Sequence, residues 1–260
     1  MARTESLTSP ANPLIKDIRR AVSRGALTRG GYAIAETFHL LEEAKRSGCE
    51  VGAVVAAESA AEEVEARAGG ARVMVVADAL FQSISGTESA QGVMALVRPR
   101  AWKLDDLFTG TPLVVALDGV QDPGNAGAIL RAAEAFGATG AMFLKGTVSP
   151  HNPKAVRASA GSVFRVPLAT GLDPAAALRA FAEHGLDVYA AEPRGALDLG
   201  AADLARPCAL IIGSEGAGVS REVRAGAAGL RIPVAAVESL NAAMSAGILL
   251  YEARRRRAIR

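Results

Sequence analysis

The chain has 260 residues, a formal net charge of +2, and 50% hydrophobic and 22% charged residue types, a balance that excludes a disordered or low-complexity protein. A chain of this length buries roughly 70–75% of its unfolded surface on folding, so it needs no disulfide or metal staple. Cys49 and Cys208 stand far apart with no His or Cys beside them, which excludes a disulfide framework and a zinc module and fits a reducing cytoplasm. Aromatic residues make up 4%, which argues against repeated stacking on single-stranded nucleic acid. The first residues contain no apolar signal region. No apolar run approaches the roughly 18 residues that span a bilayer, so no membrane contact is expected. Basic residues cluster at Lys16, Arg19, Arg20, Arg24 and Arg29 and again at Arg254–Arg257 with Arg260. Such clusters either neutralise phosphates or form a solvated helix face and a frayed tail.

In chain order, a helix is expected from Asn12-Pro13, with proline at its first position and Leu14, Ile18 and Val22 on one stripe. Strand-like runs follow at Tyr32–Ala35, Val51–Ala57, Val73–Ala77 and Val93–Val97, separated by helical spacing at Phe38–Ser47 and Ala60–Ala68. This alternation predicts a mainly parallel, covered sheet. Pro99 and its charged neighbours mark a boundary, giving domains at 1–98 and 108–260 with a linker at 99–107. The second alternation has strands at Leu113–Leu117, Ala141–Leu144, Val163–Pro167, Leu186–Ala190, Ala209–Ile212 and Leu230–Pro233. Helices are expected at 126–136, 152–159 and 174–184, then at 241–257 with Met244, Ile248 and Tyr251 on one face. No repeat of 20–50 residues is present. The fold class is α/β.

Ligands in open α/β sheets sit beyond the carboxyl ends of strands, which singles out three loops. Asp118–Asn125 precedes a helix that Asn125 can cap, and on that helix Arg131 and Glu134 stand at i, i+3, spaced for a surface ion pair. Gly213–Ser220 is glycine-rich after an apolar strand, so backbone groups can approach a flat ligand, with Glu215 as an acceptor. A nicotinamide-binding glycine loop is the rival reading, with Glu238 at the required distance, but the loop lies near the chain's end instead of opening a first βαβ unit. In Arg231–Asn241, Pro233 ends a strand and Ser239 or Asn241 can cap the last helix.

In sequence, residues 122–137 (DPGNAGAILRAAEAFG), 211–220 (IIGSEGAGVS) and Ile232-Pro233 through Glu238-Ser239-Leu240-Asn241 resemble the three motifs of the SpoU/TrmH family of RNA ribose 2′-O-methyltransferases. The stretch 157–167 is similar to that family too, and 7–16 looks like the start of its L30e-like substrate-binding domain. The resemblance implies an RNA-binding N-terminal domain and a C-terminal domain with a deep trefoil knot, pairing as a homodimer whose two protomers complete the site. It implies S-adenosylmethionine held by Ile212, Gly213, Glu215, Gly216, Ile232, Leu240, Asn241 and Ala243. Asn125, Arg131 and Glu134 match the catalytic first motif, with the arginine most tied to catalysis. Where the family commonly continues Val-Ser-Val-Ala after Asn241, this chain has Ala242-Ala243-Met244-Ser245, without the hydroxyl at 243. Glu36-Thr37 stands in place of a Glu-Gly pair. His39, His151 and His184 match no family catalytic position.

Methyl transfer from a sulfonium needs no Lewis acid, and the chain offers no cluster of metal ligands, so no metal is implied. The implied substrate is RNA, with ribosomal RNA expected from the separate binding domain. A tRNA ribose methyltransferase and an antibiotic-resistance rRNA methyltransferase are the alternatives within the family. A nicotinamide-dependent enzyme and a non-catalytic RNA-binding homologue are the alternatives outside that activity.

Overall fold

The computed structural model describes residues 4–87 and 90–258. Its first elements are β1 (Thr4–Ser6), α1 (Pro13–Arg24), β2 (Ala33–Ala35), α2 (Phe38–Arg46), β3 (Val51–Ala57), α3 (Ala61–Arg67), β4 (Val73–Val76), α4 (Asp78–Ile84) and β5 (Val93–Val97). After a 3-10 turn at Leu104–Phe108 come β6 (Leu113–Asp118), α5 (Pro123–Ala135), β7 (Gly140–Leu144), α6 (Pro153–Ala158), β8 (Leu168–Leu172) and α7 (Pro174–Glu183). The chain then runs through β9 (Asp187–Ala191), β10 (Leu197–Asp198), β11 (Cys208–Gly213), α8 (Arg221–Gly226), β12 (Ala228–Arg231) and α9 (Ala242–Ala258). It divides into two units: the chain up to Ala101 with Ser149–Phe164, and Trp102–Val148 with the chain from Arg165 onward.

In the first unit, α1 starts where its chemistry requires. Pro13 occupies the first turn and the Asn12 carboxamide oxygen accepts from Leu14 N at 2.9 Å. Its core face is Ile15, Ile18 and Ala21, while the expected stripe residues Leu14 and Val22 flank it, half-buried. The five strands lie in the order β1-β4-β3-β5-β2. β1, β4 and β3 are parallel, but β5 runs antiparallel to both β3 and β2, so the sheet is mixed and not mainly parallel. Every residue of β5 is buried, and a continuous apolar run records burial without recording strand direction.

The domain borders also differ from the expected ones. Within 99–107, residues from Trp102 onward go with the second unit, where Leu107 is fully buried and a methyl on Gly140 would lie 2.3 Å from its Cγ. Residues 149–164 pack with the first unit, although they lie inside the expected domain 108–260. Glu36 is only 3% exposed and accepts from Arg157 Nη1 at 2.9 Å and Gly86 N at 2.7 Å. Burial pushes its carboxyl up, against the lowering effect of Gly86 and Arg157. The pair joins residues far apart in the chain, which no local pattern reports.

The second unit is a seven-stranded parallel sheet in the order β10-β12-β9-β11-β6-β7-β8. β6 and β11 are continuous apolar runs because both faces are covered. Each large side chain buried there stabilises the fold by about 1.5–3 kcal/mol. Val163–Pro167 is not the expected strand. Ser162–Phe164 is a 3-10 turn whose Val163 and Phe164 are buried as a loop, and the strand is the partly exposed Leu168–Leu172 that follows, at the edge of the second unit's sheet.

α9 turns the expected face outward: Met244 and Tyr251 are 56% and 55% exposed, while Ala246, Leu249, Leu250 and Ala253 are buried. The arginine run in its last turns is neither a free phosphate cluster nor a frayed tail. Arg257 donates to the carbonyls of Thr111 (2.7 Å), Pro112 (3.0 Å), Leu204 (3.0 Å) and Arg206 (2.7 Å). Arg256 donates to Leu199 (2.9 Å), Gly200 (3.0 Å) and Ala202. Arg254 is exposed, and Arg260 lies outside the described residues.

Arg255, and then Arg256, hold the Glu252 carboxyl down to about 2. A depressed folded-state pKa stabilises above the unfolded value of 4.5 and loses that contribution as pH falls from 4.5 towards about 2. Glu252→Gln is therefore expected to melt below wild type at pH 6, with the gap in Tm narrowing steadily below pH 4.5. A gap independent of pH would contradict the ion-pair origin.

Candidate active site

The carboxyl ends of β9 and β11 and the segment after β12 enclose a cleft of about 550 Å³. Ile212, Gly213, Glu215, Gly216, Ile232 and Leu240 all line it; Ala243 does not, and Asn241 joins the site through hydrogen bonds at its edge. The glycine loop is closed by Ser214 N to Gly218 O (3.0 Å) and Gly218 N to Ser214 O (2.9 Å), with Gly218 at φ +69°. The returning chain passes so close to β11 that a methyl on Gly213 would lie 2.2 Å from the Gly218 carbonyl carbon. Buried Asp118, at the end of β6, accepts from Ser220 N at 2.6 Å and pins the loop's exit.

Asn125 is not the cap of its helix. Pro123 takes the first helical position, so the cap is Asp122, whose carboxylate accepts from Gly124 N at 2.6 Å. That leaves the Asn125 side chain available inside the first turn, where Nδ2 donates to Glu215 Oε1 at 2.6 Å. Asn241 Nδ2 donates to the same Glu215 oxygen and to Asn125 Oδ1, each at 3.0 Å. Asn241 Oδ1 caps α9, accepting from Ala243 N (2.9 Å) and Met244 N (3.2 Å). Three side chains from the three loops thus share one hydrogen-bonded cluster.

The i, i+3 pairing of Glu134 with Arg131 does not form. Glu134 is engaged by Arg165, through Nε to Oε1 and through Nη2 to Oε2 at 3.0 Å. Arg131 is exposed, has no hydrogen-bond or ion-pair partner among the described residues, and does not line the cleft. Sequence reasoning missed Arg165 as the partner of Glu134, although it lies in the stretch 157–167 noted above. It also missed the cleft-lining ion pair of Arg224 Nε with Glu192 Oε1 at 2.7 Å, which joins α8 to the turn after β9. The histidines stand elsewhere: His39 is exposed, burial lowers His151 to about 4, and His184 stacks on Phe108 at 3.8 Å.

The cleft fits a nucleoside carrying a cationic group. Its volume is in the range of small-molecule sites. Gly213, Gly216 and Gly218 offer bare backbone, Ile212, Ile232 and Leu240 offer apolar walls for a purine, and Glu192, Glu215 and Glu238 offer acceptors. S-adenosylmethionine has this chemistry. Among the described residues, no group of three or more His, Cys, Asp or Glu side chains could hold a metal ion.

Residues 112–251 match the SpoU rRNA Methylase family, and residues 12–95 match the MRM3-like substrate binding domain. The chain is 34% identical to an uncharacterized tRNA/rRNA methyltransferase of Synechocystis sp. over 96% of this chain and 93% of that protein. It is 36% identical to the 23S rRNA (guanosine-2′-O-)-methyltransferase RlmB of Ralstonia nicotianae over 75% of this chain and 81% of that one. The crystal structure of AdoMet-bound rRNA methyltransferase from Sinorhizobium meliloti superposes with a TM-score of 0.80 at 33% identity, covering 97% of this chain and 98% of the other. With both halves matched and the three motif loops joined at one cleft, the chain belongs to the SpoU rRNA methylase family.

Proposed function

We propose that this protein transfers a methyl group from S-adenosylmethionine to a ribose 2′-hydroxyl of RNA, with ribosomal RNA as substrate. The observation that carries this reading is the convergence of Asn125, Glu215 and Asn241 beside a cleft that fits the cofactor. The bound cofactor supplies an activated methyl on a sulfonium. The protein's task is to align the hydroxyl oxygen with that methyl and to assist loss of its proton. Arg131, whose side chain has no partner among the described residues, binds the neighbouring phosphate and the developing alkoxide. Arginine stays protonated at ordinary pH, so phosphate or water takes the proton.

Arg131 lies outside the cleft of its own chain, which supports a homodimer in which α5 of one protomer completes the other's site. The exposed Met244 and Tyr251 on α9, with Phe136 at the end of α5 edge-on to Tyr251, supply an apolar face for that contact. The close pass of Gly218 over Gly213 is in keeping with a knotted C-terminal domain. The first unit's layered α/β sheet accords with an L30e-like substrate domain bounded near residue 101. Residues 112–251 are the methyltransferase part. A cytoplasmic enzyme accords with the free thiols of Cys49 and Cys208. No helix of the described residues is long and apolar enough to cross a membrane.

The glycine loop does not favour the nicotinamide reading. It closes on itself between Ser214 and Gly218 before the six-residue α8 begins, so no long helix opens at its glycines. Calorimetry is expected to show S-adenosylhomocysteine binding and no NADH binding. Tritiated methyl transfer to total RNA is expected to label ribosomal species as ribose 2′-O-methyl. Label confined to tRNA would overturn the substrate assignment, and absence of transfer despite cofactor binding would leave a binding protein.

A further inference from the structure

Tyr32, Glu50, Gly52 and Arg98 form a cluster on the first unit that the methyl-transfer reading does not use. The Arg98 guanidinium carbon lies 4.2 Å from the centroid of the Tyr32 ring. Gly52 abuts the same ring: a methyl there would come within 2.6 Å of Tyr32 Cε1. The register of β3 against β5 shifts between Val51 and Ala53, placing an irregularity at Gly52 that lets backbone sit beside the aromatic. All three guanidinium nitrogens are engaged. Nε donates to Glu50 Oε2 (2.8 Å), Nη1 to Gly30 O (3.2 Å) and Nη2 to the Tyr32 hydroxyl (2.6 Å), which in turn donates to Glu50 Oε1 (2.9 Å).

These bonds fix the plane of the guanidinium, yet the Arg98 side chain remains 43% exposed. With three of its five N–H donors committed and its plane fixed, it offers a preorganised, cationic, planar face. Such faces stack on unpaired bases. Arg29 immediately precedes the Gly30 carbonyl that Arg98 contacts. It is held by its own N–H to Asp17 at 2.8 Å, and its side chain is exposed with no partner among the described residues. The other arginine–aromatic pair, Arg67 over Phe38 at 4.9 Å, is looser, and Glu42 and Glu63 both pair with its guanidinium, a setting that repels phosphate.

We propose that the Arg98 face is a stacking platform for one unpaired nucleobase of the RNA substrate, with Arg29 contacting the adjoining phosphate. This rests on the RNA-substrate reading and deepens it. A single platform is compatible with an aromatic-poor chain, whereas repeated stacking is not.

The test compares binding of the 260-residue protein to a fluorescent adenosine 12-mer RNA and to the same backbone carrying abasic sites. Wild type is expected to favour the base-bearing RNA by about 5- to 150-fold, the range for one stacked base. Arg98→Lys keeps the charge but removes the plane, and is expected to abolish that preference while leaving the salt dependence of binding unchanged. Arg29→Ala is expected to weaken both RNAs alike and reduce the salt slope by about one. Salt-dependent binding without base preference in wild type, or an unchanged preference in Arg98→Lys, would overturn the platform and leave the RNA reading standing. No binding of either RNA at low salt would overturn both. The wild-type comparison needs no variant, so poor folding of Arg98→Lys does not blunt it.

Discussion

Replacing Arg131 with alanine is expected to lower methyl transfer by at least about 10²- to 10³-fold, the cost of removing one preorganised charged donor from a developing oxyanion. Cofactor affinity, measured by calorimetry with S-adenosylhomocysteine, should stay within about twofold, because Arg131 does not line its own chain's cleft. Arg131→Lys should be nearly as damaging, since a point charge does not reproduce the guanidinium fork. Stability should change little, as Arg131 is exposed and makes no ion pair or hydrogen bond among the described residues. A large loss of cofactor binding would contradict the role. The dimer reading adds a sharper consequence. Mixing Arg131→Ala with a cofactor-cleft variant should restore part of the activity, because one pairing then holds an intact composite site.

Gly213→Ala should fail differently. The added methyl would lie 2.2 Å from Gly218 C and 2.3 Å from Val219 N. Both contacts are backbone, so no side-chain rotation relieves them. The loop must move away from β11, breaking the Ser214–Gly218 hydrogen bonds and shifting Glu215 from Asn125 and Asn241. We expect cofactor affinity to fall by about 100-fold or more, with destabilisation near the upper end of overpacking effects, about 3 kcal/mol. Calorimetry and a denaturant melt read the two effects separately. A variant that binds the cofactor normally would show that the close approach of 213 and 218 is not needed for the site.

These two residues illustrate how far the linear pattern carried. Gly213 stood out because an apolar strand ran into a glycine-rich turn, and a strand's carboxyl end is where an α/β sheet exposes backbone. The strands β6, β7 and β11 were legible for the same reason: both faces are covered, so burial leaves a continuous apolar signature. The expected cap at Asn125 failed because Pro123 fixes the helix start two residues earlier. The expected strand at Val163–Pro167 failed because a buried loop and a buried strand have the same composition. Glu134 was placed opposite the wrong arginine because local spacing favours Arg131, while Arg165 arrives across 31 residues. The C-terminal arginines read as solvent-facing or phosphate-binding, yet Arg256 and Arg257 are spent on carbonyls more than 50 positions away.

Order along the chain was enough to establish an α/β protein, its three motif loops and six residues of the cleft's lining, since turn chemistry and strand burial act over a few residues. Folding alone assigned partners: which oxygen Asn125 and Asn241 share, which arginine holds Glu134, that the Arg131 side chain has no partner among the described residues, and that 149–164 belongs with the first unit. Those outcomes depend on directional contacts between distant residues, whose geometry exists only after the sheets have brought them together.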